Sequence, residues 1–221
     1  MRRLAPDVHQ LRGFPPNVMN IYLVDGVLVD AASRHARRRI LRELRGRRLS
    51  AHVVTHAHPD HQGSSHALCE RFGVPLWAGE RDADALEEGR LAARQPANVM
   101  NRVSERAFAG PAHPVARRLR EGDEVAGFTV LDTPGHSAGH ISLWRERDRT
   151  LVLGDVVFGL HPSTGVPGLH EPPGFFRPDP AQNRDSIRRL AALEPELVLF
   201  GHGPPLREPM RLRALADRLG S

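Results

Sequence analysis

The chain has 221 residues, 31 basic and 26 acidic, a formal net charge of +5 and a sequence pI near 10.9. All 31 basic residues are Arg, so little titrates between His and Arg and the high pI is weak evidence for a nucleic-acid partner. A single cysteine, Cys69, excludes an internal disulfide framework and a CxxC metal site, and no apolar run approaches the ~18 residues of a membrane span.

From the N-terminus, Met1 to Pro16 has two Arg early but no apolar stretch, unlike a secretory signal, so a cytoplasmic protein is expected. Residues 18–24 and 27–30 flank Asp25-Gly26 and predict a β-hairpin with a tight primed turn. Residues 34–46 predict a helix with Ala36, Ile40, Leu41 and Leu44 on one apolar stripe. The run 34–48 holds eight Arg and one acid, Glu43, a local charge of +7 that leaves the rest of the chain slightly acidic. No aromatic in that run offers a base-stacking surface, so a solvated face outweighs nucleic acid there. Leu49 to Thr55 predicts a short buried strand, 63–72 a helix, 75–78 a strand and 80–88 a helix. Residues 89–114 lack clear periodicity. Strands are expected at 116–119, 125–132, 140–146 and 150–158, then a long Pro- and Gly-rich loop at 160–180, a helix from Pro180 to about Leu193, a strand at 197–200 and a helix at 208–219. Two halves, about 1–115 and 116–221 of one domain spanning 1–221, each read as strands first and helices after. That order predicts two sheets face to face with helices outside, of α/β or α+β class.

Chemistry concentrates at strand ends. Thr55-His56-Ala57-His58-Pro59-Asp60-His61 follows an apolar strand. At period two, His56 and His58 point to one side and can share an ion, while Asp60 and His61 can face a neighbouring position. Imidazole and carboxylate suit zinc or a similar first-row ion. Three more apolar strands end in a ligand type: Leu131-Asp132-Thr133-Pro134-Gly135-His136, Leu151-Val152-Leu153-Gly154-Asp155 and Leu197-Val198-Leu199-Phe200-Gly201-His202-Gly203. Each alone reads as a turn; together they suggest one pocket on one rim.

The ordered set His56-x-His58-x-Asp60-His61, His136, Asp155, His202 resembles the metallo-β-lactamase fold superfamily, along essentially the whole chain. The resemblance implies a four-layer αββα sandwich. It implies one ion on His56, His58 and His136, a second on Asp60, His61 and His202, and Asp155 bridging them. The ions would be two Zn2+, with Fe or Mn as possible replacements. It further implies a metal-bridging hydroxide that attacks a small ester, thioester or lactone, with Asp60 also a catalytic proton acceptor. The pattern is most similar to glyoxalase-II-like hydrolases, although Asp155 is followed by Val156-Val157-Phe158-Gly159-Leu160 rather than a Cys-Gly-Arg-containing run. Retention of both Asp60 and Asp155, with the lack of an export signal, points away from true β-lactamases. Quorum-signal lactonases use a Tyr near the site, whereas the only Tyr here is Tyr22 in the first hairpin. Two alternatives stay open: a mononuclear iron persulfide dioxygenase-like enzyme, and a nucleic-acid phosphodiesterase or binder using helix 34–48. The expected partner is a small-molecule substrate, with no membrane; oligomeric state is not indicated.

Residues 160–178, with 96–110, are expected to shape the substrate pocket, with His161, His170, Phe175, Phe176 and Arg177 as lining. His140 is expected to support the site rather than ligate. His9, His35, His52, His66 and His113 read as ordinary surface or core residues, and Cys69 as a buried small hydrophobe.

Overall fold

A computed structural model describes residues 1–91 and 98–220. Residues 92–97, part of the segment without clear periodicity and of the pocket-shaping stretch 96–110, lie outside the described residues. The first sheet has seven strands in chain order: β1 (Arg2–Ala5), β2 (Val8–Gln10), β3 (Tyr22–Val24), β4 (Val27–Val29), β5 (Ala51–Val54), β6 (Leu76–Gly79) and β7 (Val115–Leu119). Strands β1 to β4 pair antiparallel and β4 to β7 parallel. The crossovers carry α1 (Arg37–Glu43), α2 (Pro59–Gln62), α3 (Ser65–Phe72), α4 (Glu80–Glu88) and α5 (Val99–Phe108). The second sheet uses β8 (Glu124–Val125), β9 (Phe128–Asp132), β10 (Ile141–Arg145), β11 (Thr150–Gly154) and, after the ribbon β12 (Phe158–Leu160) with β13 (Pro167–His170), the parallel strand β14 (Leu197–Phe200). Helix α6 (Pro180–Ala192) makes that crossover and α7 (Pro209–Leu219) ends the described chain.

Alternation along the strands builds four layers. Val24, Val29 and Val53 of the first sheet meet Phe128, Val130, Leu143, Val152 and Leu199 of the second in the central core. On the outer face of the first sheet, Leu23 and Leu28 pack with Ile40, Leu44 and Leu68, while Leu76 and Ala78 pack with Ala85 and Leu86. On the outer face of the second, Leu151, Leu153 and Val198 pack with Ile187, Leu190, Leu212 and Leu215 of α6 and α7. This is the expected αββα sandwich.

Local expectations hold where a pattern is strong. Asp25 (φ 41°) and Gly26 (φ 79°) form the primed turn between β3 and β4. Asp179 caps α6 by accepting from the Gln182 amide at 2.9 Å. Differences have physical causes. Residues 2–10 form β1 and β2, which short mixed sequence hides. The helix at 34–46 starts as a 3₁₀ turn at Arg34–Ala36 and its α part stops at Glu43. The strand expected at 125–132 is broken by an Ala126-Gly127 turn with both φ positive. The run 150–158 ends its ladder at Gly154 (φ 65°). The loop 160–180 contains β13 and a 3₁₀ turn at Gly174–Phe176. Helix α5 buries only Asn101 and leaves its apolar residues Val99, Met100 and Val103 exposed. Because β7 joins the first sheet, the change of sheet falls after Leu119 rather than at 115/116. No helix among the described residues is long and apolar enough to cross a membrane.

Candidate metal centre

The C-terminal ends of β5, β9, β11 and β14 converge. β5 delivers His56, and His58 precedes Pro59, the first residue of α2, which carries Asp60 and His61. The turn after β9 brings His136, Asp155 directly follows β11, and His202 follows β14 by two residues. Asp155 Oδ2 lies 3.1 Å from His202 Nε2, 3.2 Å from His61 Nε2, 3.5 Å from His136 Nε2 and 3.8 Å from His56 Nε2. Asp60 Oδ2 lies 3.2 Å from His202 Nε2 and 4.0 Å from His61 Nε2. Donor atoms within 4.8 Å of one another group as His56, His58, His136; as His56, His61, Asp155; and as Asp60, His61, His202. Gly201 permits this convergence, since a Cβ there would collide with Asp155 Oδ1 and the His61 ring.

A cation fits these residues. His56 Nε2, His58 Nε2, both His136 nitrogens and Asp155 Oδ1 are buried without a hydrogen-bond partner. Such orphaned atoms cost about 1–3 kcal/mol each, and a shared divalent ion would satisfy one nitrogen of each imidazole together. Burial, then the neighbouring imidazoles, holds His56 and His136 well below the usual histidine range, and burial lowers His58 to about 4. Their lone pairs are therefore available at neutral pH. Burial opposes charge on His61 and His202 too, but Asp155 overcomes it, with Asp30 for His61 and Asp60 for His202. His61 rises well above the usual range and His202 to about 10. Burial would raise Asp155 and Asp60, yet the facing His202 and His61 hold both carboxylates below their ordinary range. Protons at these Nε2 atoms stand where a cation facing Asp155 would stand.

A shell of hydrogen bonds aims the rings. His61 Nδ1 donates to Asp30 Oδ2 at 2.9 Å. Asp30 also accepts from the Thr55 amide at 2.8 Å and the Thr55 hydroxyl at 3.0 Å. With its proton on Asp30, the Thr55 hydroxyl accepts from His56 Nδ1 at 3.0 Å. His202 Nδ1 donates to the Val18 carbonyl. In each ring Nε2 is left facing the centre. Buried Asp82 accepts from the Ala57 amide (2.8 Å), the Ser137 hydroxyl (2.6 Å) and the Gly139 amide (2.8 Å), tying the His56–His58 segment to the His136 turn. His140 Nε2 accepts from the Asp155 amide at 3.0 Å, so its Nδ1 carries the proton and donates to Thr133 Oγ1 at 2.8 Å. This supporting role is the one expected. Asp30, Thr55 and Asp82 escaped the sequence reading. Val27-Leu28-Val29-Asp30 has the same apolar-strand-then-carboxylate form as the other strand ends and could have exposed Asp30. Asp82 resembles any acid in a helix first turn.

The centre opens into a cavity of about 180 Å³, walled by Val18, Pro59, Phe158, Leu160, Pro162 and Phe176 around the His and Asp groups. Of the five pocket candidates, Phe176 stands on this wall. His161 and His170 pack edge to face on each other across the β12–β13 ribbon, with ring centroids 5.1 Å apart. Phe175 is part-exposed, its carbonyl accepting from Asn101 Nδ2 at 3.0 Å, and Arg177 pairs with Glu171. Tyr22 is buried and donates to the Phe200 carbonyl at 2.7 Å, away from the cavity wall. Arg38, Arg42, Arg45, Arg47 and Arg71 line a separate groove of about 490 Å³ that includes none of the metal-centre residues.

Residues 15–202 match the metallo-beta-lactamase superfamily profile. The probable metallo-hydrolase YflN of Bacillus subtilis is 31% identical, with 98% of this chain and 92% of that protein covered. A hydroxyacylglutathione hydrolase of Bdellovibrio bacteriovorus is 30% identical over 69% of this chain, which spans about half (48%) of that protein. Among solved structures, a metallo-beta-lactamase family protein of Thermus thermophilus superposes with TM-score 0.69 at 26% identity, covering 99% of this chain and 81% of that one. A protein solved in a di-iron-bound form superposes with TM-score 0.65 at 33% identity, covering 87% and 91%.

Proposed function

Because the chain belongs to the metallo-beta-lactamase superfamily, we propose that it is a hydrolase that cleaves a small thioester, ester or lactone at a two-metal centre. In this reading His56, His58 and His136 would hold one ion and Asp60, His61 and His202 the other, with Asp155 available to both. The observation that carries it is Asp155 Oδ2 within 3.8 Å of four imidazole Nε2 atoms drawn from three chain segments. When bound, such ions supply Lewis acidity and lower the pKa of coordinated water towards ~7. The protein's own groups do the rest. Asp60, part-exposed on the cavity wall, is the carboxylate placed to receive the nucleophile's proton. His140, with its proton on Nδ1, holds the Asp155 backbone by accepting its N–H. Phe158, Leu160 and Phe176 exclude water and leave an apolar seat for an acyl group.

Among the described residues no Arg lines the cavity, which favours a neutral carbonyl substrate over a phosphodiester. The hydroxyacylglutathione hydrolase relatives favour a thioester within that class. Zinc is the first choice of ion, and the di-iron relative supports iron as the alternative.

The test combines metal analysis with a panel of thioesters, lactones and phosphodiesters. At least two ions per chain and chelator-sensitive acyl hydrolysis are expected. Asp155→Ala should lower that hydrolysis by more than about 100-fold, the upper range for residues that merely support ligands. Chelator-resistant hydrolysis, or turnover of phosphodiesters alone, would overturn the reading.

A further inference from the structure

A second group of donors lies outside the centre described above. His66 and Glu70 stand one turn apart on α3, on the same face of the helix. His113, in the connector between α5 and β7, meets them. His66 Nδ1 and His113 Nδ1 are 3.1 Å apart, their rings nearly perpendicular with centroids 5.2 Å apart. One donor atom from each of the three residues falls within 4.8 Å of the others. The group shares no residue with the cavity wall or with the ligands of the proposed two-metal centre.

From these observations we propose that His66, Glu70 and His113 form an auxiliary site for one zinc-like divalent ion, which fastens the connector 109–114 to α3. The geometry suits tetrahedral zinc. Two nitrogens at Zn–N of 2.0–2.1 Å are separated by about 3.3 Å along a tetrahedron edge, close to the 3.1 Å found here. Without an ion, two facing Nδ1 atoms share a single proton. With one, each ring carries its proton on Nε2 and presents both Nδ1 lone pairs, while the Glu70 carboxylate balances charge. No net proton or electron transfer is needed. Burial and then His66 lower the proton affinity of His113, which keeps a lone pair available near neutrality. The backbone is already set: the His113 amide donates to the Leu86 carbonyl at 3.2 Å, and His66 and Glu70 are fixed one turn apart by α3 itself. Two imidazoles and one carboxylate leave the fourth position to water, so the site is accessible to ions from solution.

The consequence is positional. The connector follows α5, whose first-turn residue Asn101 holds the Phe175 carbonyl next to the cavity-lining Phe176. An ion at the far end of α5 therefore braces the helix that supports one cavity wall.

Protein isolated with its own metal complement is titrated with zinc and followed by calorimetry and elemental analysis, beside His113→Ala and His66→Gln. Wild type should take up one equivalent beyond that complement or, where the site is filled on isolation, carry one more ion than either variant. Zinc about 100-fold above Kd should raise the wild-type Tm by roughly 5–10 °C, with no such rise in the variants. Turnover by the variants, which leave the proposed catalytic residues untouched, should stay within about two-fold and report correct folding. Equal metal content and equal uptake in wild type and both variants would overturn the proposal, whatever hydrolytic activity the protein shows.

Discussion

Asp30 illustrates how much one side chain behind the candidate ligands decides. It stands at φ 60° at the end of β4 and binds the Thr55 amide, the Thr55 hydroxyl and His61 Nδ1. Through Thr55 it also orients His56. A neutral amide in its place keeps the shape but removes the charge that strengthens His61 as a donor. Asp30→Asn should weaken metal affinity by about 10–100-fold, measured by competition against a chromophoric chelator. Unchanged affinity would mean that sterics alone orient the two rings. Asp82 differs in kind: its three contacts go to Ala57, Ser137 and Gly139, so it holds backbone segments together and touches no imidazole by hydrogen bond.

The short 3₁₀ turn Gly174–Phe176 is the element that closes the cavity. Prolines flank it at 172, 173 and 178, and contacts from outside hold it: Asn101 of α5 fixes the Phe175 carbonyl, and Glu171 pairs with both Arg177 and Arg184. Phe176 lies against His58, with ring centroids 6.1 Å apart. Removing it should widen the acyl seat without moving the ligands. Phe176→Ala is expected to lower kcat/KM for apolar acyl substrates by about 10–100-fold, in the range of a lost apolar contact. The loss should be smaller for substrates with short acyl groups. Equal loss across the series would place Phe176 in packing rather than in recognition.

Stability of the sandwich should fall in acid for a reason lodged deep between β4, β5 and α3. His52 is fully buried, bonded to the Leu28 carbonyl at 3.0 Å and to Ser65 Oγ at 2.8 Å, and burial lowers it to about 4. The unfolded chain takes up this proton near 6.5 and the folded protein only near 4, so stability present above pH 6.5 is lost as pH falls between those values. The loss amounts to roughly 3 kcal/mol. Urea unfolding at pH 7.5 and pH 5 should show a steeper pH dependence for wild type than for His52→Gln, which keeps hydrogen bonding but cannot titrate. Parallel profiles would remove His52 as a source.

Much of this arrangement is legible along the chain. Apolar strands that end in His or Asp, and the spacing His56-x-His58-x-Asp60-His61, are local patterns that announce both the sandwich and the residues that converge at its candidate metal centre. Periodicity sees α6, which buries one face, and an unbroken apolar run marks β14, which is buried throughout. Periodicity gives no sign of β13, a part-exposed four-residue strand paired with the neighbouring β12, and α5 is the reverse case, its apolar residues Val99, Met100 and Val103 facing solvent. Of the apolar cavity wall, Leu160, Pro162 and Phe176 come from the stretch 160–178, whereas Val18, Pro59 and Phe158 come from outside it. Phe176 reaches the wall while neighbouring Phe175 turns partly to solvent, and His161 and His170 find each other across a ribbon. Donor type is a property of the residue and can be read in order. Which donors meet, as with Asp30 and His61 or His66 and His113, depends on chain segments 31 and 47 residues apart, and only packing of the sheets and helices brings those atoms within hydrogen-bonding distance.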